Sequence, residues 1–349
     1  MNDYKVIGID LAKTKWHITA INHEGHATLK RPISRDDFFH HLSSLFPSPQ
    51  TFAMEACGGC HDVGRKLQNL GHQVILLRTQ DVKPYAKSRQ KNDLNDALAI
   101  CKASLDPELK RVHIKTQEEQ VVAFLHKTRQ NVISQRIQRS NALISSLHEF
   151  GYIVSCGKAK FAKECEHHIQ EALQSGDITQ DVAEEMLKEK KEIDQLFQRE
   201  KELDARIVQF NKSSDKAKQL LTIPGIGPIN ASILSNKPME TYATPRDFAA
   251  SLGLVPKQHT TGGQIHLGRI TKQGDRYART MLIQAGRTLV MRTFKANVPE
   301  GNLYQFIERL KKRGKGYNVI CVAVANKLAR MAYACVMTSC PYDATHKMS

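Results

Sequence analysis

Two long stretches of the chain, residues 118–150 and 181–210, contain neither glycine nor proline, the residues that most often end a helix. In the second stretch, apolar side chains recur at spacings typical of one helix face: Val182, Met186, Ile193, Leu196, Leu203, Ile207 and Phe210. A seam of this length usually packs against a partner helix. We therefore predict two long helices that pair as a coiled-coil hairpin and support dimerisation, although the Lys- and Glu-rich faces of the second helix could simply be solvated.

The composition limits the class of protein. Hydrophobic residues make up 41% and charged residues 25% of the 349 positions, which is typical of globular domains. No window approaches the roughly 18 consecutive apolar residues that a membrane-spanning helix needs, and the N-terminus has no secretory pattern. The eight cysteines do not form a disulfide framework, and the pair Cys57 and Cys60 has no second pair that would complete a zinc site. These features predict a cytoplasmic protein with no membrane partner.

Short apolar runs alternate with helical patterns in the first part of the chain. The pattern predicts a three-stranded meander, then helix, strand, helix, strand and helix. The predicted strands are residues 4–9, 16–21, 27–32, 51–54 and 73–77, and the predicted helices are residues 36–45, 61–70 and 92 or 93 to about 104. This order predicts an α/β domain whose mixed sheet is covered by helices.

Four carboxylates occur in this part of the chain at positions that favour a catalytic or metal-binding role. Asp10 and Glu55 each follow an apolar strand, where an isolated charge is disfavoured by desolvation unless a cation or a proton neutralises it. Asp93 and Asp96 are three residues apart on the first turn of a helix, so they are neighbours on one face. Oxygen ligands suit Mg²⁺ or Mn²⁺, and carboxylate-bound ions are a common device for phosphodiester chemistry. Alternatively, Asp10 could end its strand in a turn, and the helical pair could be ordinary N-terminal acids.

The three motifs that contain these acids resemble known nucleases. Their order on a meander, a fourth strand and a later helix resembles the RNase H-like fold of RuvC-type nucleases. More closely, residues 7–13 (IGIDLAK), 54–59 (MEACGG) and 91–97 (KNDLNDA) resemble the DEDD motif of the IS110 transposase family, which also includes the Piv DNA invertases. The resemblance implies that Asp10, Glu55, Asp93 and Asp96 are the metal-binding acids.

The C-terminal third is strongly basic. The chain carries 51 Lys and Arg against 35 Asp and Glu, and fifteen of the basic residues but only three of the acids lie in residues 257–330. Clustered cations favour a phosphate backbone because binding releases counterions, although a solvated basic face is the plainer explanation. The cations predicted to bind nucleic acid are Arg269, Lys272, Arg276, Arg279, Lys311, Lys312 and Arg313.

A glycine-containing turn begins this C-terminal part. Residues 223–228 (IPGIGP) resemble a helix-hairpin-helix turn, in which Gly225 and Gly227 would let backbone N–H groups approach a phosphate. Similar turns also cap helices in proteins that bind no nucleic acid. Two amphipathic helices, residues 278–293 and 317–337, are predicted to close a mainly helical domain.

The resemblance to the IS110 family extends through this domain. Residues 248–256 (FAASLGLVP), 260–263 (TTGG) and 268–276 (GRITKQGDR) match the family in sequence and order. The family usually has a nucleophilic serine just before the first glycine of the second segment, and Thr261 occupies that position here. A threonine hydroxyl can do the same chemistry, but its methyl group crowds the attack and restricts χ1. Ser251 is the fallback nucleophile, although it could only pack.

These observations predict a transposase or site-specific recombinase with three domains: a RuvC-like catalytic domain in residues 1–115, dimerising helices in residues 116–215 and a transposase domain in residues 216–349. The resemblance further implies an element-encoded guide RNA, DNA partners, and dimers that assemble into tetramers with shared sites, in the bacterial cytoplasm at the nucleoid. One alternative is a metal-dependent nuclease such as a junction resolvase, which needs the acids but no hydroxyl nucleophile. The other is a catalytically inactive DNA-binding remnant.

Overall fold

The computed structural model describes residues 4–86, 93–155, 157–294 and 301–343. The chain divides into two compact units, Met1–Gln120 and Val121–Ser349. The first unit contains the predicted catalytic acids, and the second contains the long helices together with the C-terminal part. The further division of the second unit into a dimerising domain and a transposase domain stays a prediction.

A mixed sheet forms the centre of the first unit, as predicted, with six strands rather than the five that the sequence indicated. Its order is β3-β2-β1-β4-β5-β6. The first three strands are antiparallel neighbours, β4 and β5 run parallel to β1, and β6 is antiparallel to β5. The strands are β1 (Val6–Asp10), β2 (Lys15–Ile21), β3 (Ala27–Ser34), β4 (Thr51–Glu55), β5 (Gln73–Leu77) and β6 (Arg111–Val112). Strand β6 was not predicted, because two residues are too short to show a period.

Helices cover both faces of this sheet. They are α1 (Arg35–Leu45), α2 (Cys60–Asn69), α3 (Thr79–Val82) and α4 (Asp93–Ser104), and a 3₁₀ turn (Lys83–Tyr85) follows α3. Ile7 and Ile9 pack into a core with residues of α1 and α2, whereas Val6 packs into a second core with residues of α4. Burial on both faces explains why β1 is an unbroken apolar run up to Asp10. The predicted helices are confirmed, and α3 was missed.

Helices dominate the second unit. They are α5 (Gln117–Glu149, which begins in the first unit), α6 (Lys158–Gln174), α7 (Gln180–Ser213), α8 (Asp215–Leu221), α9 (Pro228–Ser235), α10 (Pro245–Ser251), α11 (Arg276–Arg292), α12 (Asn302–Lys312) and α13 (Tyr317–Thr338). Both long helices are present as predicted. They run antiparallel, because Arg136 pairs with Glu200 at 3.0 Å whereas Arg139, farther along α5, pairs with Glu189 on the preceding turns of α7.

Helix α6 was not predicted, and it changes the packing of the long pair. Its residues Phe161, Cys165 and Ile169 share one apolar cluster with Leu147 of α5 and Ile193 of α7. The cluster therefore joins three helices at this end of the pair, rather than the two of a simple hairpin. A regular coiled coil and the dimer it would support stay predictions.

Helix α13 lies at the centre of the C-terminal core. It is long and apolar enough to span a membrane, and within the described residues it is the one helix that meets this test. Of its apolar window, 61% is buried inside the unit, as expected for a core helix. Asn326, Lys327 and Arg330 interrupt the apolar residues of this helix, so it contains no uninterrupted run of the length that a membrane span needs.

A two-stranded antiparallel ribbon interrupts the helices of this unit and was not predicted. It consists of β7 (Pro256–Thr261) and β8 (Gln264–Ile270). The connecting residues Gly262 and Gly263 both have positive φ, 58° and 77°, which is the geometry of a type I′ hairpin turn. All side chains of the ribbon are exposed except Ile270 at its base. The C-terminal part is therefore mainly, but not entirely, helical.

Candidate functional site

Asp10 and Glu55 lie side by side at the carboxyl ends of two parallel strands. In the register of β1 and β4, Ile9 is opposite Met54, so the two acids occupy the next position on their strands. Side chains alternate between the faces of a sheet, and Ile9 and Met54 share one core. Asp10 and Glu55 therefore lie on the opposite face, which α4 covers.

A glycine in β1 allows α4 to approach this face closely. A Cβ atom on Gly8 would lie 2.3 Å from the carbonyl oxygen of Ala97 and 2.7 Å from Sγ of Cys101. No other residue fits without displacing the helix. Because Asp96 directly precedes Ala97, this packing holds Asp96 near the end of β1. Asp93 begins the same helix, but its side chain lies outside the described residues.

Three of the predicted acids influence one another electrostatically. The pKa of Glu55 is raised, chiefly by burial and further by the negative charges of Asp10 and Asp96, while a hydrogen bond from the Thr79 hydroxyl opposes the rise. Burial, with contributions from Cys60, Glu55 and Asp10, also raises the pKa of the Cys57 thiol to about 11. The structure therefore brings Asp10, Glu55 and Asp96 into one electronegative region.

This region suits a hard divalent cation. Carboxylate oxygens are the ligands that Mg²⁺ and Mn²⁺ prefer, and a cation would offset both the burial of Glu55 and the smaller repulsion from Asp10 and Asp96 that together raise its pKa. Within the part of the chain that the structure describes, no three acidic, His or Cys side chains are yet close enough to hold an ion together. The complete set of four ligands is therefore a prediction. It is compatible with the chemistry of these residues, because all four are carboxylates and their mutual repulsion would be offset by a bound cation.

Thr261 ends strand β7 at the tip of the exposed ribbon. Its hydroxyl has no hydrogen-bond partner among the described residues. The neighbouring Thr260 points to the opposite face, where its hydroxyl accepts a hydrogen bond from the Gln258 amide at 3.4 Å. The fallback candidate Ser251 is the last residue of α10, and its hydroxyl donates to the Phe248 carbonyl at 2.7 Å. Of the two predicted nucleophiles, Thr261 is the more accessible.

The predicted phosphate-binding cations near the ribbon fall into two groups. Arg269, Lys272 and Arg276 are exposed, as a phosphate contact requires. Arg279 is buried, and its guanidinium donates to the carbonyls of Leu252 and Gln273, 2.9 and 2.8 Å away. This burial disagrees with the predicted phosphate contact. Arg279 instead holds together the segment that carries the ribbon, which the charge pattern could not reveal.

The cations at the end of α12 also differ from one another. Lys312 and Arg313 are exposed. Lys311 folds back, because its ammonium group donates to the Thr293 carbonyl at 3.2 Å and lies 4.1 Å from the centre of the Phe294 ring. Lys312 and Arg313 are thus the available partners for a phosphate backbone.

The predicted glycine turn packs against α11. Gly225 has φ +86°, and a Cβ atom there would lie 2.6 Å from Cδ1 of Leu289. Gly227 precedes the first turn of α9. Beside this turn is an open cavity of about 460 Å³, with polar lining from Asn230, Gln284, Thr288 and Arg292. The helix-hairpin-helix character of this turn and its contact with nucleic acid both stay predictions.

Comparison with known proteins identifies the family. Residues 217–300 match the family described as "Transposase IS116/IS110/IS902 family", and residues 7–151 match the DEDD transposase family of IS110. The "Probable family 20 transposase" of Pseudomonas aeruginosa is 35% identical over 333 residues, which cover 94% of this chain and 95% of the relative. The chain belongs to the IS110 family of transposases.

Other relatives of this transposase agree with that assignment. The "Transposase for insertion sequence element IS1328" of Yersinia enterocolitica is 33% identical over 95% of this chain and 97% of its own length. A "Pilin gene-inverting protein" of Moraxella bovis is 25% identical over 37% of this chain and 39% of its own length. The predicted resemblance to transposases and to Piv invertases is confirmed. Like its family, this chain is an enzyme that cuts and rejoins DNA.

The ribbon of the transposase was the main structural feature that the sequence analysis missed. Its signal was the Gly262-Gly263 pair, a typical hairpin turn, followed by the alternating residues 264–267 (QIHL). The two histidines of the ribbon, His259 and His266, were missed with it. Their importance depends on strand register, which becomes visible only once the hairpin is recognised.

Proposed function

We propose that this transposase moves an insertion sequence by forming a covalent bond to DNA, with Thr261 as nucleophile and Asp10, Glu55, Asp93 and Asp96 as ligands of Mg²⁺ or Mn²⁺. The main support is the geometry of three of these acids: Asp10 and Glu55 end neighbouring parallel strands, and the close packing of α4 on Gly8 holds Asp96 beside them. Further support is the position of Thr261, exposed at the end of an ordered ribbon and without an internal partner among the described residues.

Each group has a distinct role in this proposal. The Thr261 oxygen attacks the scissile phosphorus and forms a phosphoester, which a DNA hydroxyl later resolves. Bound divalent ions would supply charge stabilisation to the phosphate and to the departing oxygen. The carboxylates hold those ions, and the Thr79 hydroxyl orients Glu55 through its hydrogen bond.

The basic surfaces of the second unit would bind nucleic acid. Arg269, Lys272 and Arg276 lie beside the ribbon, and Lys312 and Arg313 end α12, all of them exposed. Guanidinium and ammonium groups in such positions bind phosphate backbones. We propose that the ligands are the element ends, the target DNA and an element-encoded guide RNA. The active enzyme would be a dimer or a tetramer at the nucleoid.

The test is a recombination assay in cells with the native element and its flanking DNA, together with detection of the protein–DNA adduct. We expect Thr261→Ala to lose both signals and Thr261→Ser to keep them. Thr260→Ala is the matched control, because it removes the same group one residue away on the opposite face of the ribbon. Ser251→Ala should also remain active. Full activity of Thr261→Ala would contradict the proposed nucleophile.

A metal-dependent nuclease is the second candidate, and threonine in place of the usual serine favours it. In that mechanism a metal-activated water would cut the DNA, and no hydroxyl nucleophile would be needed. Cleavage without an adduct by the wild-type protein would select the nuclease. An inactive DNA-binding remnant would show neither cleavage nor an adduct. The presence of all four acids argues against this third possibility: Asp10, Glu55, Asp93 and Asp96.

A further inference from the structure

The register of the ribbon places two histidines on the same face as Thr261. His259 is directly opposite His266, and Thr261 is directly opposite Gln264. Side chains alternate along a strand, so these four share one face, and Gln258, Thr260, Ile265 and Leu267 share the other. The hydrogen bond between Gln258 and Thr260 shows that side chains two residues apart on this strand can meet.

The ribbon contains no other group that can exchange a proton near neutral pH. Residues 256–270 include no aspartate or glutamate, and their remaining charged side chains are Lys257 and Arg269. Imidazole is the side chain best suited to proton transfer in this range. A threonine hydroxyl is a weak nucleophile that needs a neighbouring base. Paired and diagonal positions of an antiparallel ribbon are about 5 to 8 Å apart, which a phosphate between the side chains can bridge.

We propose that His259 and His266 act as an acid–base pair for the attack by Thr261, an inference that rests on the proposed nucleophile. As the Thr261 oxygen bonds to phosphorus, its proton passes to the neutral imidazole of one histidine. The bond from phosphorus to the deoxyribose oxygen breaks, and the departing oxygen takes a proton from the imidazolium of the other. In the reverse step, which rejoins the strand, the two histidines exchange roles.

The experiment measures the rate of adduct formation by the full-length protein on the native element DNA, across pH 5 to 9. His259→Ala and His266→Ala should each slow the reaction about 100-fold or more while DNA affinity stays unchanged. Each variant should lose one limb of a bell-shaped pH profile. Imidazole added to the buffer should partly restore both. Gln258→Ala is the matched control, since its side chain lies on the other face, and it should react at the wild-type rate.

A modified substrate separates the acid from the base. Replacing the departing bridging oxygen with sulfur removes the need for a proton donor, because a thiolate leaves without one. This DNA should restore the rate of the variant that lacks the acid and not that of the variant that lacks the base. Equal behaviour of both variants on it would overturn the division of roles.

Other outcomes would contradict the acid–base role of both histidines. The first is that the histidine variants keep the wild-type rate and pH profile. The second is that the variants are slow, have lost DNA affinity and do not respond to imidazole, because such histidines only bind phosphate. If Thr261→Ala forms no adduct while both histidine variants form it at the wild-type rate, the proposed nucleophile stands and this inference fails. If Thr261→Ala still forms the adduct, both fail.

Discussion

The two candidate centres of this transposase differ in how the fold supports them. Asp10 and Glu55 end strands that are buried on both faces, and Asp96 is held by a helix packed directly against a glycine. Thr261, in contrast, ends a ribbon whose side chains are almost all exposed. Tertiary packing therefore fixes the first centre, whereas the second depends on a turn and on cross-strand hydrogen bonds. Exposed two-stranded ribbons are only marginally stable alone, so bound nucleic acid or protein is expected to complete the second centre.

The largest effect should follow from a charge removed at the packed centre. We expect Asp10→Asn to reduce strand exchange by about a thousandfold or more, since an amide is a neutral and weaker ligand for a divalent ion. DNA affinity and its salt dependence should remain nearly unchanged, because the exposed cations that we propose bind phosphate lie in the second unit. Recombination in cells and filter binding at several salt concentrations measure the two properties.

The matched control for this change is Asp62→Asn. Asp62 is a partly exposed acid on α2 that pairs with Lys66 at 2.9 Å, and its loss should leave recombination unaffected. If Asp10→Asn recombines like Asp62→Asn, the metal-site assignment is wrong.

The same contrast explains what the sequence could predict. The acids of the first centre were found because a carboxylate after an apolar strand is conspicuous, and the strands have a clear hydrophobic pattern. The ribbon has a weaker pattern, because β7 contains no hydrophobic residue except Pro256 and only the short β8 alternates polar residues with Ile265 and Leu267, so Gly262-Gly263 is its clearest signal. Strand β6 exists through its pairing with β5 rather than through its own residues. The burial of Arg279 likewise depends on tertiary contacts, which the number of charged residues in a segment does not indicate.

Gly8→Ala tests whether packing positions the acids. The added methyl group would meet the Ala97 carbonyl and the Cys101 sulfur, so α4 must move or the core must strain. We expect a loss of about 3 kcal/mol in the free energy of unfolding, measured with urea, and a loss of recombination. Gly58→Ala is the control, because a Cβ atom there meets nothing within 4 Å and its φ is not positive. Equal stability of the two variants would show that α4 is not held as described.

A buried polar network joins α5, α9 and the start of α11, and the pH dependence of stability should reveal it. His126 contacts Ser232 at 2.9 Å and Tyr277 of α11, and Asp275, which caps α11, pairs with Lys237. Burial, with contributions from Arg129 and Lys237, lowers the pKa of His126 to about 4. The neutral form is therefore favoured in the folded state, and the stability that it contributes is present above pH 6.5 and lost as the pH falls toward 4.

From that shift, His126 should account for a loss of about 2 kcal/mol in the free energy of unfolding between pH 7 and pH 5. The variant His126→Gln keeps a polar side chain but cannot titrate. Between pH 7 and pH 5 its free energy of unfolding should therefore fall by about 2 kcal/mol less than that of the wild type. Urea unfolding at both pH values gives the difference. Parallel losses in wild type and variant would show that His126 is not buried in its neutral form.

The smallest effect should come from the turn of the ribbon. Gly262 has φ +58°, but a Cβ atom there would meet nothing within 4 Å, so Gly262→Ala meets only the conformational cost of about 1 kcal/mol. Because the ribbon is exposed, we expect this cost as a fivefold slower adduct formation rather than as a change in global unfolding. Gly262→Asn should be nearly neutral, since asparagine is common at the first position of a type I′ turn. If alanine and asparagine slow the reaction equally, the turn does not hold Thr261 in place, and the second centre is organised by its ligand instead.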